Sequence, residues 1–350
     1  MKVMHLINRY IRGGAELVAL AGHKSVIDNG FHSEVVSVRE SKPDEALIQE
    51  YALQGVSSSI AVSKYRPWSV RVFLEVFRLS KRVRASRVTI VHSHCEIPDF
   101  FALMMRLFLI GSGVRFIRTV HNERFLGAKF GPCIESALST LFDWTICISE
   151  KTFSNIKSRR KSILYNPIRF GCIDSVCRKR NGHLRVGVVG RFTPQKNQRA
   201  LFDYIEAREW REEIPRYYFW GDGDKKSLPG YEIVGFEKNI ENIYSNIDVL
   251  FIPSLFEGLS TVMVEALVRG VPVYSFDVSG VSDINKLISY EMIVTDFSEF
   301  EQLISFGAPE ISQREIESLK LLFLPSVYSV ELGQLYEDVQ GDRKSSKIHR

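Results

Sequence analysis

Two stretches in the second half of the chain gather cations, glycines and a helix start in patterns suited to holding a diphosphate. Gly190-Arg191-Phe192-Thr193-Pro194-Gln195-Lys196-Asn197 follows an apolar run and precedes a helical pattern. Glycine allows close approach of a ligand to the backbone. Arg191 and Lys196 put two cations in one turn, as charge growing on a leaving diphosphate requires. Considered alone, the same segment is also compatible with a solvated basic loop.

The second stretch runs from Pro253 to Pro272 and contains Glu257-Gly258-Leu259-Ser260-Thr261 and, further on, Glu265. An apolar strand enters a glycine turn, and a helix is expected to open at Ser260. As an N-cap, Ser260 would leave backbone N–H groups pointing outward, the arrangement that binds phosphate. Glu265 is the single charged residue between Val262 and Val268. A carboxylate in apolar surroundings needs partners. It lies roughly 7–8 Å along the helix from its start, a span that suits a ribose when the diphosphate sits at the helix end. Pairing with an arginine, or reaching solvent, is the structural alternative. Glu257, before the turn, would project toward a sugar.

Two further turns follow strands. Trp220-Gly221-Asp222-Gly223-Asp224 offers paired carboxylates of the kind that hold Mg²⁺ or Mn²⁺, but glycine-aspartate pairs after a strand also make plain turns, and we read a turn. Gly235-Phe236 closes another strand, where backbone groups beside a glycine can face a planar base. The five cysteines, Cys95, Cys133, Cys147, Cys172 and Cys177, form no metal-type spacing, so no metal site and no cofactor is expected. Their odd number suits a reducing compartment, and cytoplasmic residence is expected.

These loops need strands to position them. Short β-branched runs alternate with helix-length amphipathic stretches, the pattern of βαβ units, and the fold class is α/β with parallel sheets. Strands are expected at Lys2–Asn8, Ser33–Val38, Val88–His92, Arg115–Val120 and Trp144–Ile148. In the second half they are expected at 184–189, Tyr217–Trp220, Glu232–Gly235, Val249–Pro253 and Val271–Ser275. A last helix is expected over Val327–Val339. With 350 residues, two domains are the better prior. The composition changes near Asn166-Pro167 and again over 177–182. This gives a first domain over 1–166, a linker over 167–183, a second domain over 184–325, and a final helix with a tail over 326–350.

The composition, 45% hydrophobic and 25% charged, is that of an ordinary globular protein, and no apolar run is long enough to span a bilayer. The N-terminal apolar run has strand length and no small-residue cleavage site, so it is expected to be a first strand and not a signal peptide. Residues 1–166 carry 24 Lys/Arg against 14 Asp/Glu, a balance of +10, and residues 167–350 carry 22 against 27, a balance of −5. The basic half therefore suits an anionic partner. No stacking or groove-reading motif accompanies that charge, so nucleic acid is not expected. The stretch from Arg66-Pro67-Trp68 to Arg87 is basic and amphipathic, with Arg71, Arg78, Lys81, Arg82 and Arg84 among Val, Phe and Leu. It fits either an anionic membrane surface or a helix packed on the sheet.

In order and spacing, the segments between residues 186 and 275 resemble the retaining GT-B glycosyltransferases of family 4, to which many bacterial polysaccharide-assembly enzymes belong. That family has a G-R-x-x-x-x-K-N stretch, a G-D-G turn and an E-G-x-x-x-x-x-x-E-A motif with P-S before it and G-x-P-V after. The resemblance implies two Rossmann-like domains with parallel sheets facing a cleft that closes over a nucleotide-sugar donor. It implies that Arg191 and Lys196 stabilise the donor's phosphate and Glu265 binds the ribose. Glu257 would contact the transferred sugar, and the backbone of Gly258, Leu259, Ser260 and Thr261 would lie near the diphosphate.

The first half is similar too. Gly13-Gly14-Ala15-Glu16 matches the family's glycine loop beside donor and acceptor. His92 and His94 match strand-end histidines, and His121 falls where the family places a histidine facing the donor sugar. The implied reaction passes a hexosyl or N-acetylhexosaminyl group to a saccharide or lipid-linked saccharide with retained configuration, the leaving diphosphate taking the acceptor's proton. Leu259-Ser260 stands where the family often has Phe-Gly or Leu-Pro, and Asp224 where proline is common, which leaves donor identity open. A non-hydrolysing epimerase on the same fold would release a changed sugar nucleotide without any acceptor. A silent scaffold would lack the intact Arg191, Lys196, Glu257 and Glu265.

Overall fold

Runs rich in Val, Ile and Phe, each closed by small or polar residues, fold as strands alternating with helices in the computed structural model, which describes residues 1–10, 13–39, 70–121, 135, 138–168, 170, 183–208 and 215–341. Arg66, Pro67, Trp68, Asn122, Cys133, Cys172 and Cys177 lie outside those residues. The chain divides into two compact units, Met1–Pro167 with Pro325–Arg350, and Ile168–Leu324.

The first unit contains β1 (Lys2–Ile7), α1 (Gly14–Asp28), β2 (His32–Ser37), α2 (Val70–Ala85), β3 (Ile90–His94), α3 (Glu96–Phe108), β4 (Arg115–Val120), β5 (Trp144–Cys147), α4 (Glu150–Asn155) and β6 (Lys161–Ile163). Its sheet has the order β2-β1-β3-β4-β5-β6 and every neighbouring pair is parallel. The strand expected at Val88–His92 lies two residues further on. Val88 N–H closes α2 by donating to Val83 O and Thr89 N–H donates to Lys2 O, so the ladder with β1 starts at Ile90 and carries Ser93 and His94 into the sheet. On α2, Val72, Val76, Leu79 and Val83 recur at helical spacing and pack against Phe101, Met105 and Phe116.

The second unit contains β7 (Arg185–Val189), α5 (Gln198–Glu206), β8 (Arg216–Trp220), β9 (Lys226–Leu228), β10 (Tyr231–Gly235), α6 (Ile240–Ser245), β11 (Val249–Ile252), α7 (Thr261–Leu267), β12 (Val273–Ser275), α8 (Val281–Asn285), α9 (Phe297–Ser305) and α10 (Gln313–Phe323). Its sheet order is β12-β11-β7-β8-β10-β9, parallel except for the edge pair β9 and β10. The final helix, α11 (Pro325–Gly341), starts on a proline, which lacks the N–H that a first turn leaves unused. It buries Tyr328, Leu332, Leu335, Tyr336 and Val339 against Val3, Ile90 and Ile117 of the first unit.

Two strands were not expected from the sequence, β6 and β9. Both are three residues long, and β9 is polar and largely exposed at the sheet edge, so neither carries an alternating apolar signal.

Candidate functional site

In the second unit, strand order brings the singled-out loops together. From β7 the chain proceeds to β8 and β10 on one side and to β11 and β12 on the other, so the order reverses between β7 and β11. Open parallel sheets bind ligands beyond the carboxyl ends of their strands at such a switch point. The loops carrying Arg191, Asp222, Phe236 and Glu257 follow β7, β8, β10 and β11, four strands adjacent in the sheet.

Lys196 Nζ donates to Glu257 Oε1 at 2.5 Å, an ion pair bridging the loops after β7 and β11 across the switch point. Gln195 ties the same two loops twice: its carbonyl accepts from Leu255 N–H at 2.9 Å and its Nε2 donates to Phe256 O at 2.9 Å. Gln198 Nε2 donates to Arg191 O at 2.9 Å, and the Arg191 side chain is exposed. Among the described residues the Arg191 guanidinium has no ion-pair partner.

The Asp222 turn supports this loop. Asp222 Oδ1 accepts the Phe192 N–H at 2.6 Å, and Gly190 N–H donates to Trp220 O at 2.9 Å. A Cβ on Gly221 would stand 2.2 Å from Gly190 O, so only glycine lets the two turns lie this close. Gly235 has φ of +90° and accepts from Gly221 N–H through its carbonyl, while Phe236 beside it is 80% exposed.

The helix after β11 starts where expected, with Ser260 as N-cap, but the serine side chain makes no capping hydrogen bond. The turn is held from outside instead. Gly280, at φ of +81°, packs so closely that a Cβ there would meet Leu259 Cδ1 at 2.6 Å and Gly258 O at 3.2 Å. Thr261 opens the helix, and Leu259 is buried.

Glu265 does not pair with an arginine through its carboxylate. Its Oε2 accepts from the Tyr244 hydroxyl at 2.9 Å, while Arg269 forms a two-pronged pair with Glu241 and donates only to the Glu265 carbonyl. Arg269 turns away because Glu241, in the first turn of α6, offers it both carboxylate oxygens. Burial raises the Glu265 carboxyl above its usual range, against the lowering effects of the Tyr244 hydrogen bond and of Arg269. Its other oxygen, Oε1, has no hydrogen-bond partner among the described residues.

In the first unit, Gly13 caps α1 and Gly14 opens it. The Glu16 carboxylate lies over Gly13, 2.2 Å from where a Cβ would stand. Gly14 has open space around it. His121, just past β4, is buried. Its Nε2 meets His94 Nδ1 at 3.4 Å, and burial pushes its pKa down to about 3, so the ring is neutral at physiological pH. Beside these strands Arg118, fully buried, pairs with Asp99 at 2.8 Å and Glu135 at 2.7 Å. Burial, opposed by Arg118, holds the Asp99 carboxyl up at about 7.

Several of these groups carry no local sequence signal. Tyr244 stands 21 residues before Glu265, and Gly280 follows a different strand from the turn it packs on. Gln195 sits inside a loop singled out for its cations.

The comparisons with known proteins bear on the family and the fold. Residues 12–169 match the model described as Glycosyltransferase Family 4 and residues 183–304 the model described as Glycosyl transferases group 1. The amylovoran biosynthesis glycosyltransferase AmsD of Erwinia amylovora is 26% identical over 297 residues, covering 77% of this chain and 76% of AmsD. A shorter match, 29% over 165 residues, is to TuaC of Bacillus subtilis, named for teichuronic acid biosynthesis; it covers 45% of this chain and only 38% of TuaC. Among solved structures, Anabaena HepE in complex with UDP and glucose superposes with a TM-score of 0.75 at 14% identity, covering 97% of this chain and all (100%) of that one. At that identity the likeness is one of fold, two Rossmann-like units of the GT-B kind. With a family model on each unit, the chain belongs to the group 1 glycosyltransferases of family 4.

Proposed function

We propose that the chain takes a hexosyl or N-acetylhexosaminyl group from a nucleotide-sugar and passes it, with retained configuration, to a saccharide or lipid-linked saccharide in bacterial surface polysaccharide synthesis. The observation that carries this is the Lys196–Glu257 pair at the switch point, with the Arg191 side chain exposed on the same loop. A cation next to an acid is what a glycosyl-phosphate bond needs as it breaks: Lys196 and Arg191 meet charge growing on the phosphate, and Glu257 meets hydroxyls of the sugar. The turn at Gly258–Thr261 faces the diphosphate with backbone N–H groups, Glu265 takes the ribose, and Gly235 with Phe236 flanks the base. From the first unit, Gly13 and Gly14 serve phosphates or acceptor, and His121 is a neutral hydrogen-bond donor to a sugar oxygen.

The two cations come from the chain, so no metal and no cofactor is required, and chelation should leave the rate unchanged. The relatives named for amylovoran and teichuronic acid synthesis support the polysaccharide assignment. Among the described residues no helix is long and apolar enough to cross a membrane. The chain works in the cytoplasm, peripheral on an anionic bilayer where lipid-linked acceptors are found. Val70, Phe73, Leu74 and Phe77 of α2 are exposed beside Arg78 and Lys81, and Leu107 and Ile110 extend the apolar surface.

A panel of UDP-, GDP- and ADP-sugars tested by thermal shift decides the donor. A ligand at 100 times its Kd stabilises by about 2.7 kcal/mol. The active pair is then incubated with acceptor, and the anomeric coupling of the product is read by NMR. Silence across the whole panel, or inverted product, would overturn the assignment.

A further inference from the structure

Three strands of the first unit bring histidines to one place. His5 lies on β1 directly opposite His92 on β3, His94 ends β3, and His121 follows β4. The rings are packed together, with centroids of His5 and His94 5.4 Å apart, His92 and His94 4.3 Å, and His94 and His121 5.6 Å. Within this group three rings form a line of hydrogen bonds. His5 Nδ1 meets His94 Nε2 at 3.2 Å, and His94 Nδ1 meets His121 Nε2 at 3.4 Å. Burial keeps all three well below the usual histidine pKa, so each carries one proton.

A neutral imidazole donates through one nitrogen and accepts through the other. His94 uses both, so the protons along the line must all point the same way, either toward His121 or toward His5. The far end decides. His5 Nε2 is enclosed and has no hydrogen-bond partner among the described residues, and a proton placed there would be an orphaned buried N–H, which folded proteins rarely contain. With the proton on Nδ1 instead, His5 donates to His94, and His94 Nδ1–H donates to His121 Nε2. His121 must then carry its own proton on Nδ1, the nitrogen with no partner among the described residues.

We propose that His5 and His94 are positioning residues that fix His121 as its Nδ1–H tautomer, so that it meets a sugar oxygen as a hydrogen-bond donor and not as an acceptor. This rests on the role given to His121 under the proposed function. His92 stands beside the line and not in it, since its nitrogens are taken by the Tyr336 hydroxyl at 2.6 Å and Thr119 Oγ1 at 2.8 Å. Both partners are hydroxyls, which accommodate either tautomer. Gly22 of α1 holds the far end, because a Cβ there would stand 3.0 Å from His5 Cε1.

The test is a long-range ¹H–¹⁵N spectrum of the full chain labelled at histidine, with no ligand added. His5, His94 and His121 should all show the Nδ1–H pattern. In His5→Leu the donor to His94 is gone, and His121 should turn partly or wholly to the Nε2–H form. With it, kcat should fall roughly three- to tenfold while KM stays within about twofold, the size of one neutral hydrogen bond made in the transition state. His5→Asn, which restores an N–H near the same place, should return both readouts. Where His5→Leu does not fold, His5→Phe, which keeps a ring and lacks the N–H, is read the same way.

An Nε2–H pattern for His121 in the unaltered chain overturns the proposal. So does a His121 tautomer indifferent to His5→Leu, or a metal bound stoichiometrically by the ring nitrogens of His5, His92 and His94, which lie within 4.8 Å of one another. A tautomer that follows His5 while kcat does not move overturns the link to transfer. Failure of the broader assignment registers elsewhere, as absence of any thermal shift with nucleotide-sugars.

Discussion

The two units handle polar side chains at their strand ends in opposite ways. In the second unit the polar groups sit on loops past the strand ends and join as an ion pair, Lys196 with the largely buried Glu257, beside an exposed Arg191. In the first they sit inside the sheet, where desolvation strips His5, His92, His94 and His121 of charge and leaves them to act through hydrogen bonds. A charged ligand such as a diphosphate needs the ionised arrangement of the second unit. An uncharged sugar hydroxyl, which must be oriented and not neutralised, is served by the uncharged arrangement of the first.

The largest consequence of this contrast is in acid stability, and it belongs to the first unit. The four histidines have folded pKa values below those of the unfolded chain, with His92 and His121 at about 3. As pH falls from about 6.5 the unfolded chain takes up protons that the fold refuses, so stability is lost on the acid side. Asp99, held at about 7, and Glu135, Glu331 and Glu265, also raised by burial, act the other way, gaining protons in the fold first. Burial holds the four histidines down, and of the raised carboxyls only Asp99 reaches about 7, so stability falls on balance through pH 6 to 5. Urea unfolding at pH 7.5, 6.5 and 5.5 should show the midpoint falling steeply. His92→Gln, which cannot be protonated, should flatten that slope. A midpoint that His92→Gln leaves with the same pH dependence as the unaltered chain would mean that this histidine is charged in the fold.

In the second unit the expected effect is on rate. Lys196→Ala should lower kcat by roughly 10²–10³, the cost of one donor lost from charge developing in a transition state. It should also lower stability, because Glu257 is left without its cation in a largely buried site. Arg191→Ala should lower kcat comparably with no change in melting temperature, since its side chain is exposed. An Arg191→Ala enzyme with raised KM and intact kcat would remove the residue from the transition state.

These contrasts were unequally visible in the sequence. The loops at 190–197 and 253–265 could be read because each packs its cations, glycines and acids into a few consecutive residues. Their meeting could not, because the Lys196–Glu257 pair depends on β11 lying beside β7, a fact of strand order. The histidine line was less legible still. Its members sit on two strands and just past a third, and the strand expected at Val88–His92 stops short of Ser93 and His94 because those residues do not look like sheet interior until their partners are known. The arginine offered as an alternative partner for Glu265 was present four residues on, but it pairs with Glu241, and a tyrosine from α6 takes the place.

That tyrosine permits a finer division. Glu265→Gln keeps a group able to bond Tyr244 and removes a carboxylate whose charge burial disfavours, so stability should hold or rise slightly. Nucleoside diphosphate affinity, by titration calorimetry, should fall about tenfold, as a charge-assisted hydrogen bond becomes a neutral one. Tyr244→Phe should do less to affinity, since Glu265 then loses only an internal partner. Equal losses in both variants would mean that Tyr244 orients the carboxylate for the ribose.

The effect furthest from the transfer step concerns the outer face of α2. Arg78 and Lys81 are exposed beside Phe73, Leu74 and Phe77, and Lys81 Nζ lies 4.7 Å from the Phe77 ring centre. Each basic residue near an anionic bilayer contributes about 1 kcal/mol, screened within a Debye length. Arg78→Glu with Lys81→Glu should therefore weaken cosedimentation with phosphatidylglycerol vesicles more than tenfold at low salt and leave transfer to a soluble acceptor unaltered. Phe73→Ser should weaken it in a salt-independent way, because its contribution is apolar area. Binding that survives the charge reversal but fails with Phe73→Ser would make this face a purely apolar contact. Binding indifferent to all three changes would assign the membrane contact to another part of the chain.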